Sequence, residues 1–87
     1  MVKLNKQNTN YQIDFENDKY FGNGNCTYSN KNNYFFNLSI SQNNEYIGNI
    51  SYQYNNGNES ISYNCNRKYI SDFNDVIDEV INEMTFE

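Results

Sequence analysis

The sequence predicts an α+β domain: an antiparallel β-meander of four to five strands with one C-terminal amphipathic helix packed on one face. Three observations predict it. Apolar and polar residues alternate with a period of two through much of the stretch from Tyr11 to Cys65, as in half-buried strands, and change to a helical period after Ser71. Asn56-Gly57 is the dipeptide best suited to a type I′ hairpin turn, because both residues tolerate positive φ. The chain has 87 residues, enough for a single domain spanning 1–87 with one core and no second catalytic unit.

The sequence leaves residues 1–10 open between order and disorder, with the sheet running over 11–65 and the helix over 71–84. In the first strand Tyr11, Ile13 and Phe15 alternate with Gln12 and Asp14. A second runs through Tyr20 and Phe21, breaks at Gly22-Asn23-Gly24-Asn25 as a bulge or a turn, and resumes at Cys26-Thr27-Tyr28. The third puts Tyr34, Phe36, Leu38 and Ile40 on one face, and the fourth Ile50, Tyr52 and Tyr54. A two-residue turn at Asn56-Gly57 then pairs Tyr52 with Ile61, Ile50 with Tyr63 and Gly48 with Cys65, apolar against apolar. The turn near Asn43-Asn44-Glu45 sets Leu38 against Ile50 and Phe36 against Tyr52.

Ser71 and Asp72 are the N-cap candidates of the helix, and Phe73, Val76, Ile77, Val80, Ile81 and Met84 form its apolar stripe. That stripe is expected to bury against the sheet, with Gly48 allowing close approach of the helix. Cys26 and Cys65 fall on strands three places apart, about 14 Å at the usual strand spacing. A disulfide needs Cα atoms within about 7 Å, so free thiols are expected.

Twenty Asn, nine Tyr, six Phe and eight Ile stand against no Ala, Pro, His or Trp, a bias suggestive of an AT-rich gene. Because the Asn residues are interleaved with aromatic and β-branched ones, they read as turn and solvated-face residues of a folded chain. No apolar leader and no long apolar run is present, so a cytoplasmic location without membrane contact is expected.

Charge is unevenly placed. Residues 1–31 carry four Lys against Asp14, Glu16 and Asp18, and residues 32–70 balance Arg67 and Lys68 against Glu45 and Glu59. Residues 71–87 hold Asp72, Asp75, Asp78, Glu79, Glu83 and Glu87 with no base, so the net charge of −5 belongs to the helix and its tail. On a helical wheel the first five of these acids lie opposite the apolar stripe. Asp75, Glu79 and Glu83 form an i, i+4 column of like charge, which weakens a helix by about 0.2–0.5 kcal/mol per pair. Solubility alone would explain an acidic outer face; a docking surface for a basic partner would explain its uniformity.

Without His, general acid–base catalysis and activated-cysteine chemistry lose their usual centre, and two cysteines 39 positions apart make no zinc ligand set. The expectation is a protein that is not an enzyme, with no catalytic residues, no metal and no cofactor. Six basic residues are too few to surround stacking aromatics, which argues against direct nucleic-acid binding. Tyr54, Tyr69 and Phe86 are the aromatic candidates for a protein interface, beside Asp72, Asp75, Asp78, Glu79 and Glu83.

The run Asn56-Gly57-Asn58-Glu59, the strand after it, and Ser71-Asp72-Phe73 opening an acidic helix resemble small acidic phage-encoded anti-CRISPR proteins. The resemblance covers about the last 35 residues; the chain departs from it in lacking an N-terminal helix. It implies a non-enzymatic inhibitor in the host bacterial cytoplasm. Such an inhibitor would occupy the basic nucleic-acid-binding surface of a host defence protein, a CRISPR effector, by DNA mimicry through the acidic helix. Two other readings are an immunity or antitoxin protein that blocks a toxin, and a structural or oligomeric module that pairs through a sheet edge. Monomer and homodimer are equally compatible with the sequence.

Overall fold

The computed structural model describes residues 2–7 and 10–84. They form a six-stranded antiparallel sheet in the order β1-β2-β3-β4-β5-β6, followed by one helix. The strands are β1 (Val2–Gln7), β2 (Asn10–Glu16), β3 (Phe21–Asn30), β4 (Asn33–Gln42), β5 (Glu45–Asn55) and β6 (Asn58–Cys65). A 3₁₀ turn over Arg67–Tyr69 leads into α1 (Ile70–Glu83).

Every described strand neighbours in the sheet the strands before and after it in sequence, and asparagine supplies much of the chemistry of the described turns. Asn43 and Asn44 have φ of 53° and 64°, and Asn56 and Gly57 have φ of 50° and 92°, the positive angles of type I′ turns. Asn17 Oδ1 accepts the Lys19 and Tyr20 N–H groups, each at 2.8 Å, and Asn30 Oδ1 accepts the Asn32 N–H at 2.8 Å. The Asn56 N–H donates to the Asn32 carbonyl at 2.8 Å, tying two turns at one end of the sheet.

The expected pairs Leu38–Ile50, Phe36–Tyr52, Tyr52–Ile61, Ile50–Tyr63 and Gly48–Cys65 are all present. Three expectations need correction. The sheet has six strands rather than four to five, because Val2–Gln7, whose order the sequence left open, pairs with β2 and sets Val2 and Leu4 beside Phe15 and Ile13. β3 is also one continuous strand: its ladders to β2 and β4 pass through Gly22 and Gly24 without a register shift, so the glycines form neither bulge nor turn. A Cβ on Gly24 would stand 1.8 Å from the Asn37 carbonyl oxygen, so the glycine lets the β4 backbone come close.

One face of the sheet is apolar. Tyr11, Ile13, Phe15, Cys26, Phe36, Leu38, Ile40, Ile50 and Tyr52 are buried there with Phe73, Val76, Ile77, Val80 and Met84 of α1. The opposite face, mostly of Asn, Gln, Ser and Thr with Lys3, Asp14, Glu16 and a few aromatics among them, is open. Gly48 lies at a β-bulge between β4 and β5, and a Cβ there would meet Asn64 O and Cys65 Cβ, both at 2.6 Å. Gly48 thus makes room for β6, not for the helix as the sequence suggested. Cys26 and Cys65 are free thiols, on β3 and β6. None of the described helices is long and apolar enough to cross a membrane.

Close backbone approach and turn strain make different demands on glycine. Gly24→Ala forces two strand backbones apart and should lower the unfolding free energy in urea by about 3 kcal/mol, as overpacking does. Gly57→Ala has open space around its Cβ, and should cost about 1–2 kcal/mol from the positive φ alone.

Candidate functional site

The local sequence starts α1 earlier than Ser71. Asn66 Oδ1 accepts the Lys68 N–H at 3.1 Å, closing the 3₁₀ turn, and the chain continues into helix at Ile70. Ser71 and Asp72 are therefore residues of the first helical turn, not N-caps, and Tyr69 stands at the cap position without a side-chain hydrogen bond. In that first turn a carboxylate faces the positive end of the helix dipole, which suits Asp72.

Burying Phe73, Val76, Ile77, Val80 and Met84 fixes the rotation of the helix about its axis. At roughly 1.5–3 kcal/mol per buried side chain this face contributes on the order of 10 kcal/mol gross. Asp75, Asp78, Glu79 and Glu83 consequently point to solvent and are exposed, and Ile70–Glu83 contains no Lys or Arg. Asp72 lies at the margin of the ridge and is half-buried. Its Oδ2 accepts the Tyr20 hydroxyl at 2.5 Å and lies 3.9 Å from Lys19 Nζ.

The ridge continues off the helix. Between α1 and the turn joining β2 to β3 lies a groove of about 260 Å³ lined by Asp18, Lys19, Tyr20, Asp72, Asp75 and Glu79. Asp18 thereby joins the three helix carboxylates Asp72, Asp75 and Glu79 across more than 50 positions of sequence, a juxtaposition that period counting along the helix does not reveal.

The aromatic candidates lie elsewhere. Tyr54 is half-buried and stacks on Tyr34 with ring centroids 5.2 Å apart. Tyr69 stacks on Phe73 at 6.0 Å and meets Tyr20 edge-on at 6.3 Å. Both serve packing, and Tyr69 alone borders the ridge through Tyr20. Phe86, with Glu87, lies outside the described residues.

The exposed aromatics that sequence reasoning missed are Phe21, Phe35 and Tyr46, 54 %, 38 % and 60 % exposed on or beside the polar sheet face. Phe21 and Phe35 were visible as the outward members of the alternating pairs Tyr20-Phe21 and Tyr34-Phe35. Tyr46 was not, because the bulge beside Ile47 breaks the alternation there. Its hydroxyl accepts the Asn49 side-chain amide at 3.0 Å. Phe21 also lines a groove of about 350 Å³ with Lys3, Asp14, Glu16, Asn23 and Ser41.

Burial pushes the Cys26 thiol up to about 11 and raises that of Cys65 as well, so neither is a ready thiolate near neutral pH. Among the described residues no group of three or more His, Cys, Asp or Glu side chains is placed to hold a metal ion. The arrangement offers an anionic surface on a rigid helix. Comparison with protein-family models, with curated proteins and with solved structures finds no match to this chain.

The junction of ridge and sheet has a titration signature. Burial first, then the Asp72 hydrogen bond and charge, push the Tyr20 hydroxyl from its ordinary value of 10.0 up to about 12. A folded-state value above the unfolded one means that the protonated phenol favours the fold: its contribution is full below pH 10 and is lost as the pH rises through about 12. Tyr20→Phe should lower stability at neutral pH by about 1 kcal/mol and flatten the loss of stability across that alkaline window, read by urea unfolding as a function of pH.

Proposed function

We propose that this protein is a non-enzymatic inhibitor that lays its acidic helix on a basic surface of a host defence protein, a surface whose normal occupant is nucleic acid. The observation that carries the reading is the exposed column Asp75, Glu79 and Glu83 with Asp78 beside it, on a helix that contains no base. A solubilising face has no need of uniform sign, and a Lys at any of these positions would have strengthened the helix. A fixed row of carboxylates on a helix anchored by its apolar side presents charge as a phosphate backbone does, with little ordering left to pay on binding.

A CRISPR effector is the partner we favour, on the resemblance of the last third of the chain to anti-CRISPR proteins. Such an effector holds its nucleic acids in positively charged channels that accept an anionic mimic. Asp18 and Asp72 extend the contact toward the groove, and Phe21, Phe35 and Tyr46 lie on a different surface that the contact leaves free. Inhibition of a nuclease toxin would use the same ridge, so toxins belong in the same test.

The test is competition: target-DNA binding by a panel of CRISPR effectors, and substrate cleavage by nuclease toxins, with and without the chain at low and raised salt. Inhibition should weaken steeply as salt increases. The variant D75N/D78N/E79Q/E83Q should lose about a hundredfold or more in apparent affinity, roughly 3 kcal/mol. Its thermal stability should hold or rise, since each like-charged i, i+4 pair relieved returns about 0.2–0.5 kcal/mol. Undiminished inhibition by the neutralised variant would refute the reading.

A further inference from the structure

The two edges of the sheet differ. β1 carries Lys3 and Lys6, and the α1 backbone comes within 8 Å of it; charged side chains and a covering helix both discourage strand addition. β6 has no Lys, Arg or Pro, and its residues from Asn58 through Ser62 are all exposed, with Ile61 42 % exposed.

Hairpin geometry settles which backbone groups of β6 are open. In a two-residue type I′ hairpin the residues flanking the turn, Asn55 and Asn58, exchange both hydrogen bonds, and bonded and non-bonded pairs alternate from there. Ser60, Ser62 and Asn64 therefore direct N–H and C=O toward β5, whereas Glu59, Ile61 and Tyr63 direct theirs outward, where no described strand lies. This is a flat template for a further strand.

We propose that a second copy of this chain supplies that strand, β6 pairing antiparallel with β6 about a two-fold axis at Ile61. In this register Ile61 faces Ile61, Glu59 faces Tyr63 and Tyr63 faces Glu59, so each outward-directed residue exchanges hydrogen bonds with an outward-directed partner, about six bonds in all. The two exposed isoleucines cover one another, and the remaining opposed pairs, Ser60–Ser62 and Asn58–Asn64, are uncharged. Centring the axis on Glu59 would oppose two carboxylates, which is unfavourable; centring it on Ser60 or Ser62 would separate the isoleucines. An axis normal to the sheet keeps both helices on one face with their acidic ridges open, so the interface is independent of the proposed inhibitory contact. The patch is small, in the weak class of interfaces below about 1,200 Å², so the dimer is concentration-dependent.

Sedimentation and amide hydrogen exchange by NMR, on the full chain at low-micromolar and near-millimolar concentrations, test this. At the higher concentration the mass should approach that of a dimer. The N–H groups of Glu59, Ile61 and Tyr63 should gain about tenfold or more in protection, while those of Ser60 and Ser62, already bonded to β5, change little. Ile61→Lys, which opposes two like charges at the axis, should remain monomeric at both concentrations. A wild-type monomer at the higher concentration, new protection on β1 instead of β6, or undiminished dimerisation of Ile61→Lys would each overturn the proposal; the exchange pattern of the wild type decides even if that variant folds poorly.

Discussion

The structure depends on one constraint: a sheet with a single apolar face needs one element to cover it, and α1 is that element. The buried face of β2 to β5 is a continuous field of Ile, Leu, Phe and Tyr, and the helix lays Phe73, Val76, Ile77, Val80 and Met84 onto it. The opposite face survives in water because Asn, Gln, Ser and Thr occupy most of its positions, with Lys3, Asp14 and Glu16 among them, and Phe21, Phe35 and Tyr46 interrupt it singly. Among the described residues no other element packs on that face, so sheet and helix have to fold together.

The electrostatic character of the surface follows from that packing. Once the apolar arc is committed, the helix has no rotational freedom, and Asp75, Asp78, Glu79 and Glu83 are held outward as a set. Asp72 is recruited at the margin by Tyr20, whose ring packs edge-on against Phe73 at 6.0 Å, so the boundary between core and ridge is stitched by one side chain. On the same face toward β6, Tyr52 plays a similar part, donating to Glu59 Oε1 at 2.5 Å while its ring stacks on Phe36 at 5.0 Å. Two carboxylates, Asp72 of the helix and Glu59 of β6, are thus joined to the core by tyrosine hydroxyls.

Much of the fold was legible because local signals agreed. Asn56-Gly57 fixed a turn, the turn fixed a register, and the register placed Tyr52 opposite Ile61 and Ile50 opposite Tyr63, as observed. β1 escaped because its alternation is short: Val2 and Leu4 are its apolar pair, and Lys6 takes the third inward position. The glycines of β3 misled because Gly usually marks a break, whereas here Gly24 answers to the approach of Asn37 on the next strand, a contact that no local pattern encodes. The helix start was misplaced by a nearby asparagine: Asn66 caps a 3₁₀ turn that launches the helix ahead of Ser71. Of the candidate site, the acidic column was readable from spacing alone; the entry of Asp18 into it, and the withdrawal of Tyr54 and Tyr69 into packing, came from tertiary contacts.

The dependence of sheet on helix is tested most directly by Phe73→Ala, which empties a fully buried position on the helix face. Urea unfolding would be followed at once by far-ultraviolet circular dichroism for the helix and by tyrosine fluorescence for the sheet. The two transitions should stay coincident and move together to lower urea, with a loss of about 3–5 kcal/mol. A helix signal that melts first while the tyrosine transition stays at its wild-type midpoint would contradict the account, since the sheet would then stand without its cover.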